Sequence, residues 1–369
     1  MIKKLKERIP TPSIVIFIIG IICAALYILF LISPVAANFF NENISRIFRR
    51  ALAYITAPLP FSLAEFIIFV SPVIIFLILR AVFRYMDAHP HGFARAVSAM
   101  LSALVLLMSV FVLNFAAGYR TSSLDIKLNL ENAEVDSDSL FATAEYVKNK
   151  LNKLAPSVCF KDGGSIRGYS HSKTVELASS SYDKLHEQYG FIDSFRAPVK
   201  RLAVSPLMTY THISGIYSFF TGEANLNTNY PEFVNVYTVC HEMAHQRGIA
   251  RENEANFIAY LVCITSDDTY MQYCGYLNML EYLATAINKT SPTDLQKLYQ
   301  TLDTRIIAEL NTYSEFFEKY SKSTASKVSE KINNTYLVSQ GTPGTVSYGM
   351  VVELAVAYHA ENISEKVTD

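Results

Sequence analysis

Two histidines and a glutamate in the segment CHEMAHQRG have the spacing of a zinc-dependent hydrolytic site. His241 and His245 are four residues apart, so on a helix both imidazoles project from one face and can reach a single Zn²⁺ ion. Glu242, beside the first histidine, is then placed to take a proton from water that zinc has made acidic and to pass it to a leaving amine. The alternative interpretation is a surface helix that carries these three residues without a metal.

A catalytic zinc needs a third protein ligand and leaves its fourth position open. The segment that follows the histidines predicts where this ligand lies. Gly248 comes three residues after His245, as a helix-ending glycine would, and a second helix is predicted to begin near Arg251. The sequence therefore predicts two helices joined at Gly248, with the missing ligand at the start of the second.

Two glutamates on this second helix are candidates for the third ligand. Glu252 shares a helical face with the small residue Ala255 and with Asn256, which would allow close approach to the histidine helix. This favours Glu252 as the ligand and Asn256 as the side chain that orients a histidine. Glu254, on the other face, is the alternative ligand.

The composition indicates that part of the chain lies in a membrane. Hydrophobic residues make up 51% of the 369 residues and charged residues 18%, whereas soluble proteins have about 25% charged residues. The net charge of −1 gives no support to a nucleic-acid partner. Three apolar segments approach the roughly 20 residues needed to cross a bilayer; they are residues 14–32, 61–79 and 97–117.

Basic residues next to these segments favour a cytoplasmic N-terminus. Lys3, Lys4, Lys6 and Arg8 precede the first segment, and Arg80, Arg84 and Arg95 lie between the second and third. Arg46, Arg49 and Arg50 weaken this bias on the opposite side. With three spans, the chain after Tyr119 is expected outside the cytoplasmic membrane. The first segment is longer than the apolar region of a signal peptide, so we expect a retained anchor.

The rest of the chain predicts an interfacial helix, a joint and a large extracytoplasmic domain. Residues 41–57 have apolar residues at helical spacing with arginines between them, which is typical of a helix in the membrane interface. Residues 121–138 are predicted to be a linker, with Asp136 or Ser137 capping the next helix. Residues 139–369 are predicted to form a mainly helical domain with a small sheet, in the α+β class. None of the five cysteines is expected in a disulfide.

Specific elements are predicted within this large domain. Strands are expected at 199–204 and 213–220, and the second could pair with an extended substrate. Glu223 and Asn225 are interpreted as turn residues or as part of a cleft. His212 and His359 are expected to be structural or surface residues. Helices are predicted at 140–154, 174–189, 252–263, 270–288, 293–320 and 347–361, besides the histidine helix from Tyr237 onward.

Several separated motifs resemble known families. The segment ENEANF after the histidine motif resembles the gluzincin peptidases, in which a second helix supplies the zinc-binding glutamate. The segments FSLAE, SGIYSFFTGEANLN, HEMAHQRG, ENEANFIAYL and SYGMVVELAVAYH together resemble a family of bacterial membrane proteins, domain-of-unknown-function family 3810. The first resemblance implies a zincin-like domain with zinc bound by His241, His245 and Glu252. The second resemblance gives no information about the substrate.

These observations lead to two expectations of function. The first is a multi-pass protein of the bacterial cytoplasmic membrane whose zinc metallopeptidase domain cleaves peptides or proteins of the cell envelope. The second is a zinc-binding envelope scaffold or sensor without turnover, in contact with the same lipid bilayer. Glu242 favours the enzyme, because a purely structural zinc site has no use for a carboxylate beside its first ligand.

Overall fold

The computed structural model describes residues 8–130, 135–321 and 323–367, without the side chains of residues 347, 348 and 361–367. Lys3, Lys4 and Lys6, and residues 131–134 of the predicted linker, lie outside this range. The chain divides into two compact units. The first comprises the chain up to Thr121 together with Ser218–Glu223. The second comprises Ser122–Tyr217 and the chain from Ala224 onward.

The first unit is helical, and three of its helices are long and apolar enough to cross a membrane. In chain order its helices are α1 (Thr11–Ile32), α2 (Pro34–Phe39), a π-helical turn (Phe40–Ser45), α3 (Arg46–Thr56), α4 (Leu63–Ala88), α5 (Gly92–Asn114) and a 3₁₀ turn (Ala116–Arg120). The predicted apolar segments fall on α1, α4 and α5. The predicted interfacial helix falls on the π-helical turn and α3, which ends beside Pro58.

Close contacts join the apolar helices α1 and α5. A Cβ atom on Gly20 would overlap the Val105 side chain, so this close approach favours glycine. The hydroxyl oxygens of Ser13 and Ser102 lie 3.2 Å apart in the same interface. Small and hydroxylated residues of this kind are typical of packing between helices in a membrane.

The loop Ser218–Glu223 also belongs to the first unit. Glu223 accepts hydrogen bonds from the backbone N–H groups of Leu63 (3.0 Å) and Ala64 (2.9 Å) at the start of α4. These N–H groups have no acceptor inside the helix, and a carboxylate at this end also compensates the helix dipole. Glu223 is therefore a cap for α4.

The second unit contains two small sheets among helices, although Ser218 and Glu223, each at the end of a strand, are counted with the first unit. In chain order its elements are α6 (Leu124–Leu128), α7 (Ser137–Leu154), β1 (Cys159–Lys161), β2 (Gly164–Ile166), α8 (His171–Gln188), β3 (Val199–Arg201), α9 (Ser205–Met208), β4 (Gly215–Ser218), β5 (Glu223–Leu226), α10 (Glu232–Gln246), α11 (Glu252–Thr265), α12 (Thr269–Thr290), α13 (Pro292–Gln300), α14 (Thr304–Glu318), α15 (Thr324–Ser339) and α16 (Val351–Val367). Asp136 is the N-cap of α7 and accepts from Ser139 N at 2.7 Å.

The larger sheet has the strand order β3-β5-β4, and β1 pairs with β2 in an antiparallel hairpin. Strands β3 and β5 are parallel, with Val199 opposite Ala224. Strand β4 is therefore an edge strand. The core of the unit surrounds α11, whose residues from Ala255 to Cys263 are all buried. A helix buried on all sides lies in the centre of a core rather than on a surface.

Some predicted elements were wrong. The segment with Glu223 and Asn225 is the central strand β5, not a turn; all four of its residues are buried, and Asn225 Nδ2 donates to Ile216 O at 3.1 Å. The predicted helix 293–320 is two helices, because Asp303 caps α14 by accepting from Arg305 N. Strand 213–220 is shortened to β4, since Gly222, with φ +72°, turns the chain back there. Hairpin β1–β2 and helix α15 were not predicted.

Candidate metal centre

Helix α10 carries both histidines within the core of the second unit. Phe233, Val236 and Val239 are fully buried on it, and Tyr182 Oη donates to Cys240 O at 2.8 Å. The side chains of His241 and His245 retain only 13% and 9% exposure. This burial argues against the surface-helix interpretation, because polar imidazoles in a core require partners.

The chain turns sharply after α10 and enters α11. Gly248 has φ +91°, a conformation that favours glycine, and Ile249 N donates back to Ala244 O at 3.1 Å. Arg247 holds this turn: its guanidinium lies 4.0 Å from the ring centre of Tyr182 and donates to Phe195 O at 2.6 Å. The predicted break at Gly248 is thus present, and α11 begins with Glu252.

The turn brings His241, His245 and Glu252 together. The Nε2 atoms of the two histidines are 3.0 Å apart, and Glu252 Oε2 lies 3.3 Å from His241 Nε2 and 3.5 Å from His245 Nε2. A tetrahedral zinc ion with bonds of about 2.1 Å places its ligand atoms about 3.4 Å apart. The three donors therefore fit a zinc ion both in chemical type and in spacing.

The backbone fixes the orientation of one histidine. His245 Nδ1 lies 2.7 Å from the carbonyl oxygen of Ile249, to which it can only donate. This contact places the proton on Nδ1 and directs the lone pair of Nε2 to the cluster, as is usual for metal-binding histidines. The same turn therefore positions both His245 and Glu252.

The three side chains also interact electrostatically. Burial alone would raise the pKa of Glu252, but the charge of His245 and hydrogen bonds from both histidines hold it well below its usual range. Burial lowers the pKa of His245, yet the negative charge of Glu252, its hydrogen bond to the imidazole and the charge of Glu242 together raise that pKa to about 9. Glu252 thus provides a negative charge that stabilises positive charge between the helices.

Glu242 lies beside this cluster with an unsatisfied carboxyl oxygen. Its side chain is buried, and Oε2 has no hydrogen-bond partner among the described residues. Burial raises its pKa to about 8, with a smaller opposing effect from His245 and a reinforcing one from Glu252. A buried carboxyl group of this kind can exchange a proton near neutral pH.

Strand β4 passes directly over Glu242. A Cβ atom on Gly215 would lie 2.5 Å from Glu242 Oε1 and 2.7 Å from Thr238 Cγ2. Any larger residue would therefore displace the carboxyl group. The sequence predicted a strand here but gave no signal for this contact, because glycine in a strand has several explanations.

The other predicted residues have distinct positions. Asn256 is buried close enough to His241 to raise the pKa of that imidazole, but neither His241 Nδ1 nor Asn256 Nδ2 has a hydrogen-bond partner among the described residues. Glu254 instead accepts from Leu124 N at 3.0 Å and from Arg251 Nη1 at 2.6 Å, so it fixes the start of α6. His212 lies 2.9 Å from Tyr320 O through Nε2, and His359 lies 2.7 Å from the Tyr260 hydroxyl.

One further residue near the cluster was not predicted. Tyr282, on α12, interacts electrostatically with Glu252, and burial raises its pKa. The chain has 23 tyrosines, so residue type alone does not single out Tyr282. Its position near Glu252 depends on the packing of α12 against α10 and α11, which no local sequence pattern reveals.

The described residues thus form one three-residue cluster of two histidines and a glutamate that could hold a metal ion, on adjacent helices of a chain with three apolar helices. The family described as "Protein of unknown function (DUF3810)" matches residues 38–356. The chain belongs to this family, in agreement with the resemblance of its motifs. No curated protein and no solved structure matches the chain significantly.

Proposed function

We propose that this protein is a membrane-anchored zinc metallopeptidase with a gluzincin-like site on a zincin-like domain. The observation that carries the proposal is the convergence of His241, His245 and Glu252 around one point with the buried carboxyl group of Glu242 beside it. Two imidazoles and one carboxylate are the ligand set of catalytic zinc in several peptidases, with the fourth position left open.

Zinc, when bound, would supply a Lewis acid that polarises a carbonyl and acidifies water at neutral pH. The residues of the chain provide the remaining functions. Glu242 accepts a proton at its free carboxyl oxygen and delivers it to the leaving amine, which its pKa of about 8 permits. Ile249 O keeps His245 in the required tautomer, and Asn256 supports His241.

Edge strand β4 supports a peptide as the substrate. An edge strand offers backbone N–H and C=O groups to an extended peptide, which can add to the sheet as a further strand. Gly215 of this strand lies against Glu242, so a peptide paired there would pass close to the proposed catalytic carboxyl group. This geometry favours hydrolysis of peptide bonds over hydrolysis of smaller molecules.

The three apolar helices support anchoring in the bilayer, and the basic flanks support an extracytoplasmic second unit in the bacterial cytoplasmic membrane. A reporter enzyme that is active only outside the cytoplasm, fused after Tyr119, tests the orientation. We expect it to be active. Activity of a cytoplasmic reporter at the same position would contradict the orientation without affecting the proposed chemistry.

Hydrolysis by the purified full chain tests the function. The zinc-loaded chain in detergent is incubated with a broad peptide library, and new amino termini are identified by mass spectrometry. We expect cleavage that stops after chelation and returns when zinc is restored. His241→Ala should bind less zinc and remain inactive. Full zinc occupancy without cleavage of any peptide would instead indicate the non-catalytic scaffold or sensor.

A further inference from the structure

A cavity of about 720 Å³ lies between helices α12, α13 and α14 of the second unit. Its volume is in the range of sites that bind small molecules or side chains. Two carboxylates, Glu281 and Glu318, and three aromatic rings, Tyr299, Tyr313 and Phe317, are part of its wall. No lysine, arginine or histidine contributes to the wall within the described part of the chain.

Among the described residues, no hydrogen bond or ion pair reaches the carboxyl group of Glu281, and its side chain is half-buried in the cavity wall. Burial raises its pKa to about 7, and the nearby carboxyl group of Glu309 adds to this shift. Glu309 itself is satisfied by Ser165 and Tyr273. A half-buried carboxyl group in a cavity wall that contains no basic residue is suited to pair with a cationic ligand.

The aromatic rings of the wall, like the carboxylates, favour a positively charged ligand. The faces of tyrosine and phenylalanine attract ammonium and guanidinium groups. An elongated apolar stem with a positive end would contact both the rings and Glu281, whereas an anion would be repelled by both carboxylates. The wall therefore selects for an organic cation.

Residues next to the cavity wall extend towards the metal centre on two elements. On α12, Tyr282 follows Glu281 directly and interacts electrostatically with both Glu281 and Glu252. On α14, the Phe317 ring lies 4.6 Å from the ring of His212. Gly215 follows His212 by three residues, and its backbone lies against the Glu242 side chain. Neighbours of the wall residues thus approach Glu252 on one side and the strand that contacts Glu242 on the other.

We propose that this cavity is a subsite for a lysine or arginine side chain of a peptide at the metal centre, with Glu281 as its counter-charge. The inference rests on the proposed peptidase function for the identity of the ligand. It adds a substrate preference to that function, namely cleavage close to a basic residue.

Binding of two small probes tests the subsite separately from catalysis. N-acetyl-arginine methylamide is titrated into the full-length, zinc-loaded Glu242→Gln chain and followed by nuclear magnetic resonance. N-acetyl-citrulline methylamide, which has nearly the same shape without the charge, is the matched probe. We expect the arginine probe to bind at least tenfold more tightly, and Glu281→Gln to remove most of this difference. Glu315→Gln, on the exposed side of α14, should leave it unchanged.

Equal affinity of the two probes, or no binding of either, would overturn the subsite. An unchanged preference in Glu281→Gln would do the same. Hydrolysis is measured in parallel with the wild-type chain on peptides that differ only in lysine, leucine or glutamate at one position. Charge-selective probe binding without hydrolysis of any peptide would contradict the proposed function but support the subsite. Failure of the subsite and failure of the peptidase function are therefore distinguishable.

Discussion

The backbone of Gly215 lies against the carboxyl group of Glu242, so closely that a Cβ atom would be 2.5 Å from Oε1. This contact joins the edge strand β4 to the residue proposed to transfer protons. It also explains why the position is a glycine. In a peptidase, this one contact would position both the strand that binds the substrate and the catalytic carboxyl group.

Gly215→Ala should therefore impair hydrolysis without removing zinc. The added methyl group must displace the Glu242 carboxyl group or Thr238, and overpacking of this kind costs about 1–3 kcal/mol. We expect zinc content to be retained and the rate of peptide hydrolysis to fall at least tenfold. Gly190→Ala is the matched control, because no atom lies within 4 Å of its added Cβ. An unchanged rate in Gly215→Ala would contradict the proposed position of Glu242.

Replacement by glutamine should reduce zinc affinity at Glu252 but protein stability at Glu254. Glu252→Gln weakens the cluster that it forms with the histidines, so the affinity for zinc should fall at least tenfold. Glu254→Gln weakens contacts to Leu124 N and Arg251. It should lower the free energy of unfolding by about 1–3 kcal/mol while zinc stoichiometry stays the same. Zinc titration of both variants checks this, and loss of zinc only in Glu254→Gln would reverse the ligand assignment.

Arg247→Lys should destabilise the turn between α10 and α11. The guanidinium is buried, stacks on Tyr182 and donates to both Met243 O and Phe195 O. An ammonium group cannot make this planar set of contacts. We expect a loss of about 2–4 kcal/mol in the free energy of unfolding, measured by denaturant titration in detergent. Arg196→Lys, at an exposed ion pair with Asp183, should cost less than about 0.5 kcal/mol. Equal effects would refute this role of Arg247.

His359 should make stability depend on pH. Burial lowers its pKa to about 4, with a smaller contribution from Lys150, whereas the unfolded chain has a value near 6.5. Between these values the unfolded state binds more protons, so stability present above pH 6.5 is lost as pH falls towards 4. From pH 7 to pH 5 this loss is about 2 kcal/mol. His359→Gln should show a correspondingly smaller loss in the same denaturant titration, and an identical pH dependence would contradict the buried, neutral histidine.

The parts of the structure that sequence alone predicted are those with a strong local signal. The apolar helices follow from long hydrophobic runs with few charged residues. The break between α10 and α11 follows from Gly248, because few other residues adopt its φ of +91°. His241 and His245 share a helical face by spacing alone.

The remaining features depend on contacts between distant segments. Strand β5 contains Glu223 and Asn225, which are unusual in a buried strand; Glu223 accepts from Leu63 N, and Asn225 Nδ2 donates to Ile216 O. The helix predicted at 293–320 is interrupted where Asp303 caps α14, a local competition that a hydrophobic pattern does not show. The positions of Glu281 at the cavity and Tyr282 near Glu252 depend on how α12 packs against its neighbours. A helical pattern in sequence does not reveal a cavity.

The most direct test of the proposed hydrolysis compares the wild-type chain with Glu242→Gln at equal zinc occupancy. Both full-length proteins are incubated with an envelope-protein fraction, and the new amino termini are counted by mass spectrometry. We expect new termini with the wild type and at least a hundredfold fewer with Glu242→Gln, since removal of a general base costs on the order of 10²–10⁴ in rate. Equal cleavage by both, at one zinc per chain, would contradict the catalytic role of Glu242.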